Sequence, residues 1–273
     1  MKIAVVGATG MVGSSVTAEL ITRGDEVVGI ARTEEKLRKI PGVIPRVADV
    51  MQLPSITEAL RGHDAVVFSY APGPAIGPAV YKSMVEAGWK IKRAFCNAKG
   101  KYLIIVGGAS SLWGPSGQQM FEDPRWPSWY FNTASPEHLR YLRGMTKKDI
   151  FEELALTRER ILADPKVNPL SDWPEEHQRE FIAKIAENHD KGEGGRAQFE
   201  LFANDHSFRW SYISPPWFMR PGPRTGHYQT TLGQLPMDGD KPAGITVDDL
   251  AVAIADEVHA QNFVHAHWCA ARP

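Results

Sequence analysis

Two cysteines in 273 residues are too few for a disulfide framework, and a chain long enough to bury a full core needs none. Cys96 and Cys269 are therefore expected to be buried thiols in a reducing compartment. No segment reaches the about 18 apolar residues that suggest a membrane span, and no stretch of signal-peptide character follows Met1. A soluble, cytoplasmic protein with no membrane partner is expected. Neither sign of charge is in excess, with 31 Lys and Arg against 32 Asp and Glu, so nothing points to nucleic acid. Short clusters such as Lys90, Lys92 and Arg93 suggest a solvated helix face. Also missing are internal repeats, coiled-coil heptads and any metal-ligand spacing. His265-Ala266-His267 would put two imidazoles on one strand face, but such a pair near the C-terminus is expected to face solvent, with no metal.

What is present is concentrated at the start. Lys2 to Val6 is a β-branched and apolar run, followed by Gly7, Gly10 and Gly13 at G-x-x-G-x-x-G spacing. Val12, Val16 and Leu20 then recur at one helical turn, Gly24 closes the helix, and Glu26 to Ile30 resumes as a strand. In a strand-turn-helix-strand unit the glycines serve a tight turn with unusual backbone angles. They also let a pyrophosphate approach the amides at the helix start.

The rest of the first half keeps this rhythm. A charged helix is expected over 33–40 and a strand over 43–47. A capping box, Ser55 to Glu58, should open a short helix, with a strand at Ala65 to Ser69. One helix follows over 77–98 despite Gly88, then a strand from Tyr102 to Val106. Strands alternating with helices make a mostly parallel sheet covered on both faces.

Beyond Ala109 prolines and glycines break up the pattern as far as Met145, and a loop of that length suggests a lid or pocket wall. Helices are expected over 146–163, capped at Thr146 and Asp149, and from Asp172 to about His189. A polar hinge over 190–195 precedes a helix over 196–203. A strand covers 208–213, Thr246 caps a helix to about His259, and a final strand covers 263–270. The expectation is one Rossmann-like domain over 1–273, with residues 113–195 an inserted helical cap and aromatic lid contributing to the substrate pocket.

Several segments together carry a family resemblance. They are Gly7-Ala8-Thr9-Gly10-Met11-Val12-Gly13, Arg32, Val106 to Leu112, Phe208 to Pro215, Pro221 to Tyr228 and Thr246 to Ala253. The chain resembles the atypical short-chain dehydrogenase/reductases of the NAD(P)H-binding, NmrA-like type over residues 1 to 112 and about 205 to 270. The resemblance implies a Rossmann-like fold and a nicotinamide cofactor. It leaves the reaction open among carbonyl, flavin and quinone reductases and regulators without chemistry.

The cofactor residues follow from position. Gly7, Thr9, Gly10, Met11, Val12 and Gly13 would cradle the pyrophosphate. The second strand ends on Arg32 where an NAD site would carry a carboxylate, and Lys36 lies a turn later, which favours NADPH. These cations would otherwise sit badly at a helix N-terminus. Asp49 and Val50 fall where the family contacts adenine. Ser69, Tyr70 and Ala71 end one strand beside the nicotinamide ribose, and Gly108 follows another.

The family's usual Tyr-x-x-x-Lys pair is absent at every tyrosine. Reducing a carbonyl still needs a proton donor. Ser110 or Ser111 matches the carbonyl-polarising serine of catalytic relatives. Tyr130 and His138, in the loop that could close over the nicotinamide, are alternative donors, with His177 and Asp123 behind them. Trp113, Trp126, Trp129, Tyr130, Trp173, Trp217 and Phe218 suit a flat apolar ligand. We therefore expect an NADPH-dependent reductase of a bulky, aromatic or polycyclic ketone, enone or quinone, as in secondary metabolism, acting as monomer or homodimer. The alternatives are a non-redox isomerase, cyclase or dehydratase on the same scaffold, and a catalytically silent cofactor-binding regulator.

Overall fold

In this computed structural model the chain is described over residues 1–72, 78–123, 135–146, 149–164, 189–216, 218–220 and 222–272. The opening unit forms as its pattern predicts: β1 (Lys2–Val6), α1 (Met11–Thr22) and β2 (Glu26–Ala31). Strand alternation then divides the core in two. Ile3 and Val5 join one buried cluster, Ala4 and Val6 the other, because successive side chains of a strand point to opposite faces.

The sheet continues through β3 (Ile44–Val47), β4 (Ala65–Phe68), β5 (Leu103–Val106), β6 (Trp210–Ile213), β8 (Gln229–Leu232) and β12 (His267–Ala271). Its order is β3-β2-β1-β4-β5-β6-β12-β8, every pairing parallel except β8 against β12. Short strands β7 (Phe218–Arg220), β9 (Met237–Asp238), β10 (Lys241–Pro242) and β11 (Gly244–Thr246) form two small separate sheets. The order of the first six strands places the direction change between β1 and β4, as in doubly wound dinucleotide folds. The expected Rossmann-like α/β architecture is the observed one.

Helices α2 (Glu34–Leu37), α3 (Leu53–Ala59) and α4 (Pro78–Asn97) follow in the first half. The second half adds α5 (Pro136–Thr146), α6 (Ile150–Ala163), α7 (His189–Glu200) and α8 (Val247–Ala260). α1 packs on α8, while α4 packs on α3 and α7, and the two core clusters lie accordingly. Gly88 leaves α4 unbroken and serves its packing, since a Cβ there would lie 2.7 Å from Gln198 Cγ on α7.

Several boundaries differ from expectation. The capping box at Ser55 does not form: α3 begins earlier, at Leu53, with proline in its first turn and no side-chain cap. Residues 136–146, read as loop, are helix, so Thr146 ends α5 and does not begin α6. Asp149 precedes α6 without capping it, its carboxylate lying 3.1 Å from Arg143. The polar segment 190–195 is no hinge but the body of α7. The last strand starts only at His267. The helix expected over 172–189 lies largely outside the described residues, apart from His189.

Lys90 and Lys92 are tied down as well as wetted. Lys90 reaches the Met51 carbonyl at 2.6 Å and Lys92 pairs with Asp205 at 2.8 Å. Both cysteines are free; Cys269 is buried as expected, but Cys96 is exposed on α4. Among the described residues no helix is long and apolar enough to cross a membrane.

Candidate functional site

The three fingerprint glycines meet different demands. Gly7 alone has an unusual backbone, with φ +84°, and a Cβ there would lie 2.2 Å from the Ser69 carbonyl oxygen. Gly13 lets α1 press onto the turn, because its Cβ would lie 2.1 Å from the Gly7 oxygen. Both are imposed by the protein's own packing. Gly10 has an ordinary φ of −83° and a Cβ would meet only the Gly7 oxygen, at 3.3 Å. It is the exposed N-cap of α1, which carries no side-chain cap and no acidic residue in its first turn. The partial positive charge and free amides of a helix start are left for an external anion. Thr9 is exposed and Met11 half-buried beside it, while Val12 turns into the core.

Past β2 the expected helix-dipole conflict is absent. Arg32 precedes the N-cap Thr33, Glu34 and Glu35 occupy the first turn of α2, and Lys36 lies in its last. Glu34 pairs with Arg38 at 2.7 Å and Glu35 with Lys39 at 3.0 Å. Arg32 and Lys36, both exposed, have no carboxylate within ion-pairing distance among the described residues.

Asp49 accepts from the Met51 amide at 2.9 Å, which fixes one carboxylate oxygen, and Val50 is buried behind it. Tyr70 stacks on Phe68 with ring centroids 6.0 Å apart. Burial raises the Tyr70 pKa, Arg32 lowers it and Asp49 raises it again. The charges past β2 and β3 are thus felt at the end of β4. Ser69 and Ala71 flank Tyr70, Ser69 half-buried and Ala71 exposed.

After β5, Gly108 is extended and a single 3-10 turn, Ala109–Ser111, follows. The two candidate serines part ways here. Ser110 is 5% exposed and its hydroxyl makes no hydrogen bond to a described residue. It faces α7, where a Cβ on Gly195 would lie 3.0 Å from Ser110 Oγ. Ser111 Oγ is committed: it lies 3.2 Å from the Gly108 oxygen, 2.9 Å from Ser214 Oγ and 3.2 Å from His267 Nε2. Ser214 Oγ and His267 Nε2 close the triangle at 2.9 Å.

Ser214 and His267 were not picked out as site residues from the sequence. The signal that the sequence offers for Ser214 is its place as the first residue past β6. His267 was expected to face solvent on one strand face with His265. Instead His265 precedes β12 with φ +57° and bonds the Phe208 carbonyl at 2.8 Å. His267 is half-buried against the Phe199 ring, 4.3 Å between centroids, and burial pushes its pKa from 6.5 down to about 4. No cluster of three potential metal ligands exists among the described residues.

Of the other candidate donors, Tyr130 and His177 lie outside the described residues, and His138 lies on helix α5, not in a loop. Asp123 is buried and accepts from Ser116 Oγ at 3.0 Å. Trp126, Trp129, Trp173 and Trp217 also lie outside the described residues. Trp113 is 45% exposed and holds the Gly233 to Leu235 segment through its backbone. Two open clefts lie away from the strand ends. One, of about 330 Å³, runs between α1 and α8 beside Glu19 and Arg224; the other, of about 360 Å³, lies beside Arg140 and Arg143.

A mostly parallel sheet, a glycine turn into an uncapped α1 and cations past β2 define a dinucleotide-binding protein of Rossmann type. Residues 7–130 match the model of a family described as NAD(P)H-binding, which supports a nicotinamide cofactor. YwnB of Bacillus subtilis, an uncharacterized protein, is 26% identical over 263 residues, covering 94% of this chain and 92% of its own length. Among solved structures, a candidate epimerase of Bacteroides thetaiotaomicron is 20% identical with a TM-score of 0.69, covering 99% of this chain and 96% of its own. A candidate NADH-flavin reductase of Streptococcus pneumoniae is 18% identical with a TM-score of 0.64, covering both chains fully at 100%. At such identities the structural likeness concerns the fold.

Proposed function

We propose that the chain is an NADPH-dependent reductase of a bulky apolar ketone, enone or quinone. The observation that carries the reading is the pairing of an uncapped α1 with Arg32 and Lys36, cations without a carboxylate partner among the described residues. An uncapped helix start suits a pyrophosphate, and a guanidinium at the end of β2 suits a 2'-phosphate. Gly7, Thr9, Gly10, Met11, Val12 and Gly13 would hold the former, Arg32 and Lys36 the latter. Asp49 and Val50 would flank adenine, and Ser69, Tyr70, Ala71 and Gly108 the nicotinamide ribose. A nicotinamide bound there would supply a hydride to the substrate.

The chain's own part is to orient the substrate carbonyl and to polarise it by a hydrogen bond to its oxygen. Ser110 is the better donor of the two serines, because its hydroxyl is uncommitted while that of Ser111 is shared among three partners. Ser110 also lies beneath α7, where water is scarce and a hydrogen bond to a developing negative charge is strong. An aromatic substrate is supported by the tryptophan content of the sequence alone. The cytoplasm, with its reduced thiols, suits two unpaired cysteines.

A second reading keeps the pocket without net redox, as an isomerase or dehydratase. It is favoured by the missing Tyr-x-x-x-Lys pair and by the epimerase description of one neighbour. The deciding experiment follows NADPH absorbance with a panel of quinones and polycyclic ketones, alongside titrations with NADPH and NADH. Saturable NADPH binding with quinone-dependent oxidation is expected. Product formed without NADPH consumption would favour the second reading, and no saturable binding of either cofactor would end the first.

A further inference from the structure

The triangle of Ser111, Ser214 and His267 joins three segments that are distant in sequence. Ser111 closes the turn after β5, Ser214 follows β6, and His267 opens β12. Both serines are buried, at 1% and 0% exposure. The hydroxyls bring one proton each, so their contacts can be assigned by counting. If His267 is protonated on Nε2, that proton goes to Ser214, the Ser214 proton to Ser111, and the Ser111 proton to the Gly108 carbonyl. Three of the four contacts then carry a proton along one direction. If His267 is protonated on Nδ1, the two hydroxyls hold the only protons, so two of the four contacts are left without one.

The surroundings favour the first arrangement. Nδ1 makes no hydrogen bond to a described residue, so no described acceptor holds a proton on it. Among the described residues the groups facing the ring are Phe199 from α7, Tyr212 from β6, Ser214 just past it, and Ser111. Among these only Tyr212 titrates, and its phenol is directed to the Gly195 carbonyl and Gln198 at 3.3 Å. Burial is the one cause acting on the imidazole, which is kept neutral.

We infer that His267 is a positioning residue: as the Nε2–H tautomer it starts an oriented hydrogen-bond chain through Ser214 and Ser111 to the Gly108 carbonyl, and so fixes the turn that carries Ser110. This rests on the proposed reductase site for its catalytic meaning, but not for its geometry. Loss of the donor would leave the buried Ser214 oxygen without its incoming proton and remove the group that sets the direction of the chain, and the turn would loosen.

The test compares His267→Gln, whose amide can still donate near the Nε2 position, with His267→Phe, which keeps the ring against Phe199 but cannot donate. Nitrogen-15 spectra of the wild-type histidine rings at neutral pH should show Nε2 protonated and Nδ1 bare. Amide exchange over 109–112 should quicken about tenfold in the Phe variant and stay near wild type in the Gln variant. Turnover of 9,10-phenanthrenequinone with NADPH should fall about tenfold in kcat for Phe alone, with little change in KM for NADPH. A ring that merely packs would give the reverse order, Phe tolerated and Gln damaged, and would overturn the inference. An Nδ1–H tautomer would overturn it as well. Should the wild type bind no NADPH, the reductase reading falls while tautomer and exchange still decide the chain. Should the Phe variant fail to fold, the tautomer and the Gln variant decide it.

Discussion

Gly10 and Gly13 sit three residues apart in one turn, yet substitution should separate them. A Cβ at residue 13 would overlap the Gly7 carbonyl at 2.1 Å with no side chain free to yield. Gly13→Ala should therefore cost about 3 kcal/mol or more and lower the melting temperature sharply. At residue 10 the same methyl only brushes that oxygen at 3.3 Å. Gly10→Ala should keep the fold, with a melt within a few degrees of wild type, but weaken NADPH, since the methyl occupies the space before the helix amides. Equal affinity for the two proteins in a fluorescence titration would remove the pyrophosphate from α1. Arg32→Asp tests the other end: NADPH should weaken by about 1.5–3 kcal/mol, and NADH much less. Equal loss for both cofactors would take Arg32 out of the phosphate site. At this scale the glycine turn was legible because backbone sterics are written in residue type. The partition of labour between Ser110 and Ser111 was not, because it depends on Ser214 and His267, which reach Ser111 only through the pairing of β5, β6 and β12.

Among the elements, α8 shows which helix starts can be read locally. Thr246 accepts from the Asp249 amide at 3.1 Å, as its Thr-Val-Asp-Asp pattern predicted. Thr246→Ala should cost about 1 kcal/mol and lower the melt by a few degrees. Asp249 does more than follow the cap. It is fully buried and accepts from the Thr225 amide at 2.6 Å, the Thr225 hydroxyl at 2.9 Å and the Gly226 amide at 2.8 Å. Asp249→Ala should cost about 2–4 kcal/mol in urea unfolding, because it orphans donors on a second segment. A loss no larger than that of Thr246→Ala would mean that the 225–226 loop finds other acceptors. α7 shows where local reading fails. Gly192, Gly194 and Gly195 disfavour a helix by propensity, and the segment looks like a hinge. Its helix is held by tertiary contact: a Cβ on Gly194 would lie 3.1 Å from the Tyr81 Cα, and Gln198 donates to the Met84 carbonyl at 2.9 Å. The failed capping box at Ser55 is the opposite error, a good local signal overruled by an earlier start at Leu53.

Across the whole molecule, the histidines and carboxylates whose pKa is lowered by folding weaken the fold on acidification, opposed by Glu257, whose carboxyl burial raises. His267 is held down from 6.5 to about 4 by burial, and burial also lowers His63, whose Nδ1 lies 3.1 Å from the Leu60 carbonyl. A histidine depressed in the folded state is protonated first in the unfolded chain, so its stability contribution is full above pH 6.5 and drains as pH falls toward 4. Glu19 adds to this at lower pH. The Arg224 guanidinium, 2.7 Å away, and Arg23 lower its pKa against the desolvation cost of burial, so its share is full above the usual 4.5 and is lost below it. Urea midpoints should thus decline in two stages, a first between about pH 6.5 and pH 5 from the histidines and a steeper one below from the carboxylates. His267→Gln should flatten the first stage and leave the second, because it removes one of the two groups that charge on unfolding there. A first stage of unchanged slope in that variant would mean that the imidazole titrates normally in the folded protein, and hence that its Nε2 is not enclosed by the two serines.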